Sequence, residues 1–128
     1  MSTMATNVQV ATLANLLSAE RDAAVQFVAY GARDDDYSSL RASYVTTDRQ
    51  LTAVRSHSAW PSPRPGDPAY LASVDEFDVA LRVVRNRTLT LARDPESNIT
   101  LASLLKFYVD ANEFLLLSVA NTMQVLRH

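Results

Sequence analysis

This chain should fold as an all-α protein, an antiparallel up-down-up-down four-helix bundle, and three observations lead there. Only two glycines and five prolines occur in 128 residues, and four of the prolines lie between 61 and 68. Helix breakers are therefore nearly confined to one loop. Four stretches carry apolar residues three and four apart, the repeat of a single helix face. No stretch alternates with a period of two between turn signals, so a sheet is not expected. Residues 1–128 read as one domain, with helices near 7–31, 35–59, 68–91 and 100–127 and a Pro-rich loop at 60–68.

The first segment runs from Asn7 to Gly31, a glycine placed to cap a helix C-terminus. Its seam reads as Val10, Leu17, Arg21, Val25 and Val28, with Leu13 and Ala24 beside them. That reading sets Arg21 on a core-facing stripe. A guanidinium there must find a carboxylate, reach water along its stem, or bind an anion. Asp34, Asp35 and Asp36 suit the start of the second helix, where carboxylates face the positive end of the dipole.

The second seam is Tyr37, Leu40, Tyr44, Thr47, Leu51, Val54 and Ser58, a heptad pattern with a polar centre at Thr47 and Asp48. The prolines after Trp60 end it, because proline lacks an amide donor and restricts the residue before it. Asp67-Pro68 reads as an N-cap followed by proline at the first helical position. The third seam is Tyr70, Val74, Phe77, Leu81, Val84, Thr88 and Leu91. Thr100 is the expected N-cap of the fourth, with Asp94-Pro95 a competing start. The fourth stripe is Leu101, Leu104, Leu105, Tyr108, Leu115, Val119, Met123 and Leu126, interrupted by Asn112.

A formal net charge of −2 gives no electrostatic reason for this domain to bind nucleic acid or an anionic membrane. Without cysteine there is no disulfide, thiolate metal site or cysteine nucleophile. The two histidines, His57 and His128, have no acidic partner at helical spacing to complete a metal site. A phosphate-binding glycine loop and a Gly-x-Ser-x-Gly elbow are also missing from the sequence. The expectation is no catalytic residue, no metal, no cofactor and no enzyme.

Four strings in order resemble the nitrate- and nitrite-sensing (NIT) domain. Leu16-Leu17-Ser18-Ala19-Glu20-Arg21-Asp22 resembles its first-helix pattern, in which Leu-Gln precedes Glu-Arg-Gly. Leu40-Arg41 with Thr46-Thr47-Asp48-Arg49 resembles its second-helix Arg…Thr-Asp stretch. Leu81-Arg82-Val83-Val84 resembles the Leu-Arg-x-x-Val of helix three. Ile99-Thr100-Leu101 with Phe107-Tyr108-Val109 resembles the opening of helix four. Asp22 stands where the family has glycine, and the match looks like the first helical bundle only.

The resemblance implies a ligand-sensing input domain of a bacterial signal-transduction protein, such as a sensor histidine kinase. It implies a small oxyanion ligand, nitrate or nitrite, whose binding alters helix packing, and an output module outside this chain. It also favours a homodimer and the extracytoplasmic part of a membrane-bound sensor. Arg21, Arg82 and Arg85 become the ligand-binding candidates, since a planar oxyanion matches the parallel donors of a guanidinium. Asp48, Tyr108 and Asn112 become their supporting residues.

Each has a plainer reading. Arg21 can pack its stem and pair its head with Glu20, Asp48 or Asp110, while Arg82 and Arg85 can be solvated flanks. Tyr108 and Asn112 can be core filler and a register-setting polar residue. Two rival functions follow: a helical dimerisation or docking module without ligand, and an apolar-ligand pocket lined by Phe27, Phe77, Phe107 and Phe114.

Overall fold

The computed structural model describes the backbone of residues 3–126 and the side chains of residues 6–122. Among these residues there are four α-helices, one short 3-10 turn and no strand: α1 Thr3–Ala29, α2 Asp34–Ser56, α3 Val74–Arg93 and α4 Leu101–Leu126. The turn is Ala69–Leu71. The four-helix bundle expected from the apolar spacing is what forms. The expected end of the fourth helix at 127, and His128, lie outside the described residues, as do the side chains of Met123 and Leu126.

The α1–α2 turn is tight because Gly31 and Ala32 both adopt positive φ, 75° and 64°. The Ala32 amide donates back to the Phe27 carbonyl at 2.9 Å, closing the end of α1. Helix α2 then opens on Asp34, Asp35 and Asp36 as expected. Asp36 is buried, accepting from Gln26 at 3.0 Å and from Arg33 at 2.8 Å.

Helix α3 departs from expectation. It begins at Val74, not at Pro68, and Ser73 is its cap, its side chain accepting from the Glu76 amide at 3.1 Å. Pro68 instead precedes the 3-10 turn. The Asp67 carboxylate is engaged by the Arg64 backbone amide at 2.7 Å, so it closes the loop and is not available as a helix cap. The expected Thr100 cap on α4 is present, its hydroxyl accepting from the Ser103 amide at 3.2 Å.

The core divides into two clusters. The larger contains Val10, Leu13, Leu17, Leu51, Val54, Phe77, Leu81, Phe107, Tyr108, Phe114 and Leu115, closed at the loop end by Trp60. Trp60 packs on Phe77 and Phe114 with ring centroids 5.1 and 5.6 Å apart, and its indole N–H donates to the Leu71 carbonyl at 2.9 Å. The smaller cluster holds Ala24, Phe27, Leu40 and Ala92 near the α1–α2 turn. Fully burying each large apolar side chain contributes about 1.5–3 kcal/mol. Helix α1 packs closely on α2 and α4, while α3 is less closely packed on the other three helices.

Candidate functional site

Between the two clusters lies a charged layer drawn from all four helices. Its centre is the Arg85 guanidinium on α3. Its Nε and Nη2 donate to the two oxygens of Glu20 on α1, at 3.2 and 2.7 Å. This is the parallel fork geometry in which a guanidinium and a carboxylate pair most strongly. Arg85 Nη1 donates to Asp48 Oδ1 on α2 at 2.8 Å, and Nη2 also reaches the Tyr44 carbonyl at 3.4 Å. The guanidinium lies 4.3 Å over the Tyr44 ring. From α4, the Tyr108 hydroxyl donates to Glu20 Oε2 at 2.6 Å.

Glu20 is fully buried, and Arg85 nearly so. Asp48 differs, with half of its side chain exposed. One guanidinium answers two carboxylates, so the layer carries an excess negative charge. Burial alone lowers the pKa of Arg85, but hydrogen bonds and charge from Glu20, then Asp48, outweigh it and leave the group more basic than usual. Burial raises the hydroxyl of Tyr108, and the Glu20 carboxylate raises it further, both through charge and as the acceptor of its hydrogen bond. Burial and then Glu20 likewise raise Tyr44.

The expected place of Arg21 is corrected by the structure. Its side chain is 32% exposed and pairs with neighbouring Asp22 at 3.1 Å. The buried face of α1 runs Val10, Leu13, Leu17, Glu20, Ala24 and Phe27, so Glu20 occupies the interior position assigned to Arg21. The error came from following Val25 and Val28, which are only partly buried. Holding the three-four alternation strictly from Val10, as the second seam does, reaches Glu20. Sequence reasoning therefore missed the central acid of the layer, although the heptad carried the signal.

Arg82 is a solvated flank, 70% exposed and 3.5 Å from Asp78 on the same helix. Arg85, one turn further, turns inward. Asp48 holds this arginine, not Arg21. Tyr108 and Asn112 both reach the interior, but Asn112 donates to Ser18 and stands apart from Arg85. The structure thus brings Arg85, Asp48 and Tyr108 together and leaves Arg21, Arg82 and Asn112 outside that group. The four phenylalanines do not line a common cavity: Phe77 and Phe107 stack at 5.5 Å, while Phe27 belongs to the other cluster against Tyr37.

Buried polar atoms without a partner among the described residues include Tyr44 Oη, Thr47 Oγ1 and Asn112 Oδ1. Such groups are costly, and Asn7 Nδ2 at the loop end is another of them. Among the described residues no cluster of three or more His, Cys, Asp or Glu could hold a metal ion.

The family model described as nitrate and nitrite sensing matches residues 12–126, which takes in most of α1, the other three helices and the whole charged layer. No curated protein and no solved structure matches the chain.

Proposed function

Because the chain belongs to the nitrate- and nitrite-sensing family, we propose that it is a signalling input domain that reads a small planar oxyanion at the Asp48 edge of Arg85. The observation that carries this is the contrast between the two acids. Glu20 is sealed in the core and fork-paired, whereas Asp48 holds a single nitrogen from a half-exposed position. A half-hydrated carboxylate can return to water at little cost, so an incoming oxyanion can take its place on Arg85 Nη1. With Asp48 in place the excess negative charge repels an anion, so entry and departure are an exchange.

The exchange removes the charged tie between α2 and α3 while leaving α3 fastened to α1 through Glu20. Helix α3 then keeps only the weaker Tyr44 contacts of Arg85 to α2 and can shift against it, and that small movement is the signal passed to an output module outside this chain. Arg21 and Arg82, open to solvent and each answering an aspartate, add surface charge around the bundle. No chemical step belongs to this reading.

Calorimetric titration with nitrate and nitrite tests it. The wild type should bind, Arg85→Lys should not, because an ammonium lacks the planar fork. Asp48→Asn should bind up to about fivefold more tightly, since the competing pair is worth up to about 1 kcal/mol. Silence from both wild type and Asp48→Asn removes the ligand.

A second reading, a ligand-free docking or homodimerisation module, rests on Val79 and Val83 of α3 and Val109 and Leu116 of α4. All four are about half exposed or more. Sedimentation equilibrium decides it: a monomer at every concentration rejects self-association.

A further inference from the structure

Helix α3 is held differently at its two ends, and the charged layer sits between them. Its first turns are seated in the aromatic cluster. Phe77 is fully buried, stacked on Phe107 at 5.5 Å and packed on Trp60 at 5.1 Å. Trp60 in turn donates to the Leu71 carbonyl just before the helix, at 2.9 Å. Leu81, also fully buried, follows one turn after Phe77. On the α2 side, Arg55 reaches Asp75 at 3.0 Å.

The far end has much less to hold it. There α3 gives the smaller cluster only Ala92 and the half-buried Leu89. Arg93 on α3 and Arg41 on α2 approach the same ring, Tyr37, at 5.9 and 5.8 Å. Those distances lie near the outer limit of about 6 Å for a cation over an aromatic face. Both arginines are exposed, and neither pairs with a carboxylate among the described residues. The backbones of α2 and α3 come close at few points. Between Arg55–Asp75 and the Tyr37 end, the ion pair that joins these helices is Arg85–Asp48, at 2.8 Å.

We infer that α3 is a lever, with its fulcrum at the Phe77–Trp60 seat and the Arg85–Asp48 contact as the catch that holds its far end against α2. The inference rests on the exchange at Asp48 proposed above and adds which end of α3 responds. Arg93 lies sixteen residues beyond Phe77, about 24 Å along the helix, so a rotation of about 5° carries that end about 2 Å. Arg85 lies halfway and moves about half as far, which its long stem absorbs while the fork on Glu20 holds. The gap between α2 and α3 therefore widens beside Tyr37 and stays shut beside Trp60. The link 94–100 passes the displacement to the start of α4. The coupling is reciprocal: whatever holds the Tyr37 end shut weakens anion binding at Arg85.

The chain has no cysteine, so nitroxide labels go only where cysteines are introduced. Ser38→Cys with Thr90→Cys spans the gap at the Tyr37 end, and Thr52→Cys with Val79→Cys spans it near the fulcrum. All four positions are exposed. Pulsed electron resonance on Asp48→Ala should show the first distance longer by about 2 Å, the scale of a helix shift, and the second unchanged. Excess nitrate should produce the same pattern in the chain that keeps Asp48. Equal lengthening of both distances, or no lengthening of the first in Asp48→Ala, overturns the lever. Opening in Asp48→Ala with no response to nitrate upholds the lever and removes the oxyanion, so the two failures are told apart.

Discussion

The two ends of this bundle are filled with different material. Toward the loop, Trp60, Phe77, Phe107, Tyr108 and Phe114 interlock around Leu13, Leu17 and Leu81. Toward the α1–α2 turn, alanines at 24 and 92 leave Phe27 and Leu40 as the main apolar mass. The larger end makes many dispersion contacts, individually weak and without strict directionality. The smaller end depends more on its neighbour, the Glu20–Arg85–Asp48 layer, where distance and charge must both be right. One half of the molecule is therefore a stable platform, and the other is tied to it by a few strong polar contacts.

The largest effect should come from cutting the tie. Arg85→Met leaves Glu20 buried with only Tyr108 for company. Removing one partner of a buried pair costs about 3–5 kcal/mol, measurable as a fall in the urea midpoint. Replacing both, as Glu20→Leu with Arg85→Met, should recover most of that loss, because apolar groups of similar volume often substitute without penalty. If the double variant is as unstable as the single one, the layer is not acting as a coupled pair and the contrast between the two ends loses its basis.

Next comes the packing contrast itself. Leu81 and Leu40 are both fully buried, one in each cluster. Truncation to alanine costs about 2–5 kcal/mol, depending on how far the surroundings collapse into the cavity. Leu81, held among aromatic rings, should fall near the top of that range, and Leu40, close to helix ends, near the bottom. Amide hydrogen exchange should agree, with protection lost first around Phe27 and Leu40. Equal costs and uniform protection would show a bundle that is one cooperative unit.

The sequence made some of this legible and hid the rest, for reasons that are physical. The seams of α2 and α3 were readable because Tyr37, Leu40, Leu51 and Val54, and Phe77, Leu81 and Leu91, are apolar at heptad spacing, and the buried polar residues Asp36 and Arg85 lie beside those seams without displacing them. On α1 two stripes were available over the same turns, and the more apolar one was the wrong one. Burial of Glu20 is favourable only because Arg85, 65 residues later, supplies the counter-charge, and no local periodicity carries that information. The arginines were ambiguous for a related reason: a long stem lets the same residue type either lie along a surface, as Arg21 and Arg82 do, or reach inward. Asp48 was expected to hold Arg21, and it holds Arg85 instead. At the loop, Asp67-Pro68 has the composition of a helix start, yet the carboxylate is engaged by the Arg64 amide, and Ser73 takes the capping role.

The smallest expected effect is also the one with the most specific pH signature. Tyr108 anchors α4 to the layer through Glu20, and Tyr108→Phe should cost about 2 kcal/mol as a hydrogen bond to a charged acceptor is lost. In the folded protein its hydroxyl is held well above the ordinary value of 10.0. The unfolded chain therefore loses this proton first as the solution becomes alkaline. The stabilisation is complete below about pH 10 and declines as the pH rises beyond it, since the native state then binds more protons than the unfolded one. Tyr44, shifted in the same direction, adds to the same decline. Tyr108→Phe should flatten the fall in melting temperature above pH 10 while lowering the plateau beneath it. A parallel fall in the variant and the wild type would mean that the hydroxyl meets water in solution and that α4 is not fastened to the charged layer at all.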